Sequence, residues 1–239
     1  MILTRAQQLA LAPVLAVQAV QVIRRTPRLP EASGPRAGQE GQGPRLRVLI
    51  LGDSSAAGVG APTQRAALSG QLVQALGARA TVMWQLVART GITTASVPAL
   101  LSSVGEGSFD IALTALGVND VTRLTHPSRW TRQTQALHHT LRSRYAVRRI
   151  YATTVPPLDQ FPALPRPLST VLGRHAQKLS EALEGVAQAA PDVRLLHPDW
   201  GADTTGMASD GFHPGPEIYR HWGHFAAQFI HEDLQSHPL

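Results

Sequence analysis

The sequence predicts an α/β fold, a three-layer α/β/α sandwich built around a five-stranded parallel sheet. Two observations carry this. From Arg45 onward, short apolar runs that read as buried strands alternate strictly with longer stretches of helical periodicity, and such a succession implies a parallel sheet covered on both faces. Polar, glycine-bearing segments follow those runs, at the strand ends where open α/β sheets place their ligand crevice.

Taken in order, the chain opens with an apolar segment (1–25), passes through a linker (26–44) and enters the domain (45–239). Residues 9–23 are apolar but interrupted by Pro13, Gln18 and Gln21, and they fall short of the roughly 20 residues that span a bilayer. Arg24, Arg25 and Arg28 come directly after, and such charges favour the cytoplasmic side. The expectation is a segment lying on or anchored to the cytoplasmic face of a membrane, its arginines on anionic lipid. An exported protein with a cleavage site at Val17-Gln18-Ala19, or a helix packed on the domain, are the alternatives. Residues 26–44, rich in Pro, Gly, Gln and Arg without periodicity, read as a linker.

Strands are expected at 46–51, 81–87, 111–116, 149–155 and 193–196, and helices at 64–76, 95–103, 128–145, 168–189 and 216–233. A hydrophobic fraction of 43% against 16% charged residues suits a packed globular body. The absence of cysteine excludes a disulfide framework, a thiolate zinc site and a cysteine nucleophile. The formal charge is +6, carried almost wholly by arginine. Those arginines lack interleaved aromatics or a recognition motif, so nucleic acid is not an expected partner.

Ser54 sits in Gly52-Asp53-Ser54-Ser55, directly after the first strand-like run. A serine needs a base and an anion-stabilising site to act as a nucleophile. Later strand ends offer Gly91, then Gly117-Val118-Asn119-Asp120, then Asp210-Gly211-Phe212-His213. His213 is the candidate base, with Asp210 three residues earlier to orient it; Asp199 and Asp203 are rivals without that spacing. The Ser54 and Gly91 backbone N–H groups and the Asn119 amide are candidate oxyanion donors.

As a set, these blocks resemble the SGNH or GDSL hydrolases, named for Ser, Gly, Asn and His in successive sequence blocks. The resemblance spans about Arg45 to the C-terminus. It implies a flavodoxin-like three-layer fold and metal-independent, cofactor-free hydrolysis of ester or thioester bonds. It also implies a Ser54, Asp210, His213 triad and an oxyanion hole of Ser54, Gly91 and Asn119. Ser55 stands where many members carry a different small residue.

The proline-stiffened segment 155–165 leaves a strand end, and Leu158, Phe161 and Leu164 are candidates to line an acyl pocket for a short to medium chain. The expected partner is a small-molecule or lipid ester. Asp53 and Asp120 are expected to bond N–H groups of their own turns, and His138-His139 and the face of Glu217, His221 and His224 to lie on the surface. Three rival readings are weaker. An α/β-hydrolase needs G-x-S-x-G, but position 56 is Ala56. A nucleotide site at the glycine-rich turn lacks the P-loop lysine. A non-catalytic membrane-associated module on the same fold leaves the full set of blocks without a purpose.

Overall fold

The computed structural model describes residues 5–102, 104, 107–200 and 205–239. Its sheet is assembled from β1 (Ala37–Glu40), β2 (Arg45–Gly52), β3 (Thr81–Ala88), β4 (Ile111–Ala115), β5 (Arg149–Thr153) and β6 (Val193–Leu196). Strand order is β1-β3-β2-β4-β5-β6. The five strands from β2 to β6 are parallel, as expected, while β1 pairs antiparallel with β3.

Among the described residues the sheet therefore has six strands, not five, and is mixed. The extra strand comes from the segment expected to be a linker. All four of its residues are exposed, so no face of it is selected for apolar side chains, and Ala-Gly-Gln-Glu shows none of the alternation by which a half-buried strand is read.

Helices α1 (Arg5–Arg25), α2 (Leu68–Gly77), α3 (Val97–Leu101), α4 (Val118–Thr122), α5 (Pro127–Tyr145), α6 (Leu168–Gln188) and α7 (Pro216–Ser236) complete the described fold. One core lies between the sheet and α2 with α7, the other between the sheet and α3, α5 and α6. β2 shows how sequence sets this: Val48 and Ile50 enter the first core, Leu49 and Leu51 the second. All four are fully buried, as the run of apolar residues requires of a central strand.

Chain order reverses between β2 and β4, since β3 lies on one side of β2 and β4 on the other. A crevice opens at such a switch point, outside the carboxyl ends of the strands. Ser54 follows β2 and Asn119 follows β4, so both fall there.

α1 does not stand apart. Leu15, Ala19 and Val22 pack against the second core, while the Gln18 side chain donates to the Arg166 carbonyl (2.7 Å) and accepts from the Leu168 N–H (3.1 Å). No helix among the described residues is long and apolar enough to cross a membrane.

Candidate active site

The turn that carries Ser54 is tight because Gly52 allows it. A Cβ there would lie 2.4 Å from the Ala56 Cβ and 2.5 Å from the Ala115 carbonyl oxygen. β2 can thus run close against β4 while the chain folds back at once. The Ala57 N–H donates to the Asp53 carbonyl (2.9 Å) and the Val59 N–H to the Ser54 carbonyl (3.0 Å). The Tyr219 hydroxyl, from α7, donates to the Val59 carbonyl at 2.6 Å and ties the turn to the last helix.

Ser54, His213 and Asp210 form one line of hydrogen bonds. The His213 Nε2 lies 2.9 Å from the Ser54 Oγ, and its Nδ1 lies 2.6 Å from the Asp210 Oδ2. With both ring nitrogens assigned, Asp199 has no place at the ring, and Asp203 lies outside the described residues. The other Asp210 oxygen accepts from the Phe212 (2.9 Å) and His213 (3.0 Å) backbone N–H groups. Three-residue spacing is what allows one carboxylate to hold both the ring and its own loop.

Burial alone would raise the Asp210 carboxyl. The bonds from the His213 backbone and ring and from Phe212 outweigh it, and its pKa falls below the ordinary carboxylate value. An ionised carboxylate only accepts, so Nδ1 carries the proton and Nε2 is left to accept from the Ser54 hydroxyl. Such a line lets the serine lose its proton as it attacks a carbonyl carbon.

Asn119 is oriented by Asp53. Its Nδ2 donates to Asp53 Oδ2 at 3.3 Å, and only the amide nitrogen can donate to a carboxylate, which settles which way the amide points. The second amide proton is then left for another acceptor. Asp53 does bond its own turn as expected, through the Ser55 N–H (3.1 Å) and hydroxyl (3.0 Å), but holding Asn119 is a further task. Burial raises its pKa against those bonds.

Gly91 has φ +80°, which favours glycine; there is open space where a Cβ would be, so conformation rather than crowding selects it. Neither its N–H nor that of Ser54 has an acceptor among the described residues. Its loop is clamped from three sides. Glu31 accepts from the Thr90 N–H (2.7 Å) and hydroxyl (2.8 Å) while pairing with Arg36. Asp120 accepts from the Thr94 N–H (3.0 Å) and hydroxyl (2.9 Å). Arg123 donates to the Gly91 carbonyl at 3.3 Å.

The Asp120 bonds correct the expectation that it serves its own turn. It reaches across to the Gly91 loop, so the segments carrying Gly91 and Asn119 are joined by one carboxylate. Burial raises its pKa, and the two bonds from Thr94 counter that.

The profile of the GDSL-like Lipase/Acylhydrolase family matches residues 50–221, most of the domain that holds these groups. The chain belongs to the GDSL-like lipase/acylhydrolase family. It is an ester-hydrolysing enzyme, and the resemblance read from the four sequence blocks holds. No curated protein matches it in sequence.

Solved structures of esterases and acylhydrolases resemble it in shape. A carbohydrate acetylesterase family member from Sinorhizobium meliloti is 20% identical with a TM-score of 0.58, the match covering 80% of this chain and 99% of that one. The M. smegmatis aryl esterase is 19% identical with a TM-score of 0.58, covering 78% and 99%. The lipase/acylhydrolase from Enterococcus faecalis is 18% identical with a TM-score of 0.60, covering 77% and 95%. At these identities the likeness is one of fold.

Beside Ser54 and His213 the GDSL domain opens a predominantly apolar pocket of about 70 Å³. Phe161, Phe212, Trp200 and Ile218 are among its apolar wall residues, and Thr153, Thr154 and Gln160 join the catalytic-turn residues among its polar ones. Phe161 and Phe212 meet edge to face at 5.3 Å. Of the three residues expected here, only Phe161 lines the pocket. Leu158 and Leu164 are instead buried in the second core, Leu158 at the start of a 3-10 turn (Leu158–Gln160) that packs against α6.

His138 corrects another expectation. It is buried on the inner face of α5, and burial drives its pKa down to about 4. Glu217 on α7 pairs with Arg220 at 3.1 Å. The sequence reading missed Glu31, Arg36 and Arg123 in the clamp and Trp200 and Ile218 in the pocket. Glu31 lay in the presumed linker, and nothing in its neighbours points to Thr90.

Proposed function

We propose that the enzyme is a serine esterase that cleaves carboxylic esters of short to medium acyl chains through an acyl-enzyme. The observation carrying this reading is the unbroken line from Asp210 through His213 to the Ser54 Oγ. Ser54 Oγ attacks the ester carbonyl carbon and its proton passes to His213 Nε2. Asp210 stabilises the resulting imidazolium, and the oxyanion receives the Ser54 and Gly91 N–H groups and the free Asn119 amide proton. His213 then returns the proton to the departing alkoxide, leaving the acyl group on Ser54. Water, giving a proton to His213, attacks the acyl carbon, and the tetrahedral intermediate collapses as His213 returns that proton to the departing Ser54 Oγ, releasing the acid.

The apolar wall that Phe161, Phe212, Trp200 and Ile218 build beside Ser54 and His213 supports an acyl chain of short to medium length, with longer ones extending past Phe161. The test is a panel of p-nitrophenyl esters of increasing acyl length. Wild type is expected to prefer the shorter members, and Phe161→Ala to shift the optimum to longer chains. An unchanged profile in the variant would count against this pocket as the acyl site.

Asn119→Ala is expected to lower kcat by about 10²–10³-fold, the usual loss of one oxyanion donor, with much less change in KM. Steady-state kinetics on one activated ester would check this. A change confined to KM would assign Asn119 to ground-state binding instead.

A further inference from the structure

The outward half of α1 is the feature that the hydrolytic site leaves unused. Its inward half, with Leu15, Ala19 and Val22 on the core and Gln18 bonded to the 166–168 loop, holds the helix flat against the domain. That attachment settles which side faces out. Val14, Val17, Val20 and Ile23 all lie exposed, Ile23 to 69%. They make up most of the large apolar side chains exposed among the described residues, and all four sit on this one helix. A surface helix ordinarily carries charged residues on that side, yet residues 6–23 include no charged residue at all.

At the end of this uncharged face stand Arg24, Arg25 and Arg28, all exposed. None forms an ion pair with a described residue. Nor does the neighbouring sequence offer a second copy of the chain any counter-charge. The first acidic residue is Glu31, already engaged by Arg36 and Thr90. An apolar strip ending in uncompensated guanidinium groups is complementary to apolar acyl chains beneath anionic headgroups.

We propose that α1 docks the enzyme on an anionic lipid surface. Val14, Val17, Val20 and Ile23 enter the boundary between headgroups and acyl chains, and Arg24, Arg25 and Arg28 meet the phosphates. The helix lies in the interface and does not cross it, because its other half is committed to the domain. The loop held by Gln18 continues from the segment that brings Phe161 to the pocket. Docking therefore seats the protein through a helix bonded to the same connection that forms the pocket rim.

The test is cosedimentation of the full chain with two kinds of vesicle, phosphatidylcholine alone and phosphatidylcholine mixed with phosphatidylglycerol. Binding is expected to the mixed vesicles, weakened by salt, with little to the neutral ones. The double variant Val17→Asp/Val20→Asp should lose binding by more than roughly tenfold. Arg24→Glu/Arg25→Glu changes only exposed side chains and should weaken binding by at least roughly twentyfold, each adjacent basic group contributing about fivefold. Both variants should hydrolyse a water-soluble ester at the wild-type rate, so the docking result is independent of the catalytic reading.

The proposal is overturned if the wild-type chain stays in solution with the mixed vesicles, or if both variants bind as well as wild type. It is also overturned if light scattering shows a dimer that Val17→Asp/Val20→Asp converts to monomer while vesicles are ignored, since a second copy would then cover the face.

Discussion

Ser54→Ala is expected to lower kcat for an activated short-chain ester by at least roughly 10⁴-fold, leaving only the background that oxyanion donors and binding provide. The loss should be this large because, among the described residues, Ser54 alone bonds the His213 Nε2. Ser55, its neighbour, is turned to Asp53, with its own hydroxyl bonded to the carboxylate at 3.0 Å. His213 would keep its place, held by Asp210 through backbone as well as ring, so the fold should survive. Thermal melting should be nearly unchanged while turnover disappears. Undiminished turnover in the purified variant would refute Ser54 as the nucleophile.

The second large effect is expected from Asp210→Asn, at about 10⁴-fold in kcat, the loss typical when an amide replaces the carboxylate behind the imidazole. An Asn carbonyl oxygen can still accept from the Phe212 and His213 N–H groups that Asp210 Oδ1 now holds. Its amide nitrogen, however, would then face Nδ1 and favour the tautomer with the proton on Nε2. That nitrogen could no longer accept from Ser54.

The same substitution changes the pH dependence of stability. The Asp210 pKa is lowered in the folded protein, the bonds from His213 and Phe212 outweighing the upward push of burial. A group shifted downward stabilises the fold above its ordinary pKa, near 3.9 for aspartate. That contribution is lost as pH falls through the lowered folded value. Melting curves of wild type should therefore approach those of Asp210→Asn on acidification below about pH 4. A constant gap between them down to the acid limit would contradict the assignment.

Much of this site was legible in the chain because its groups follow strands, and strand ends are where periodicity stops and glycine or polar residues begin. β2 illustrates the strong case: an unbroken apolar run ending in Gly52-Asp53-Ser54 gives both a buried central strand and the place of its turn. Asp210 and His213 were readable together because three residues of sequence separate them. Glu31 and Asp120 mark the limit. Each acts on the Gly91 loop across a long sequence separation, and a single carboxylate in one stretch carries no sign of the partner it meets in another.

The edge strand β1 and the core placement of Leu158 and Leu164 were hidden for a related reason. An exposed edge strand imposes no alternation. A leucine leaving a strand end looks the same whether it turns toward a crevice or into the core, and the packing of the 3-10 turn against α6 puts Leu158 in the core.

The most direct test of the account is covalent trapping. Protein treated with an alkyl fluorophosphonate, digested and mapped by mass spectrometry should carry a single adduct, on Ser54. Loss of activity should follow the extent of that adduct, and the labelling rate should fall in step with kcat in Asp210→Asn. An adduct on Ser55 or elsewhere, or full inactivation with Ser54 unmodified, would contradict it.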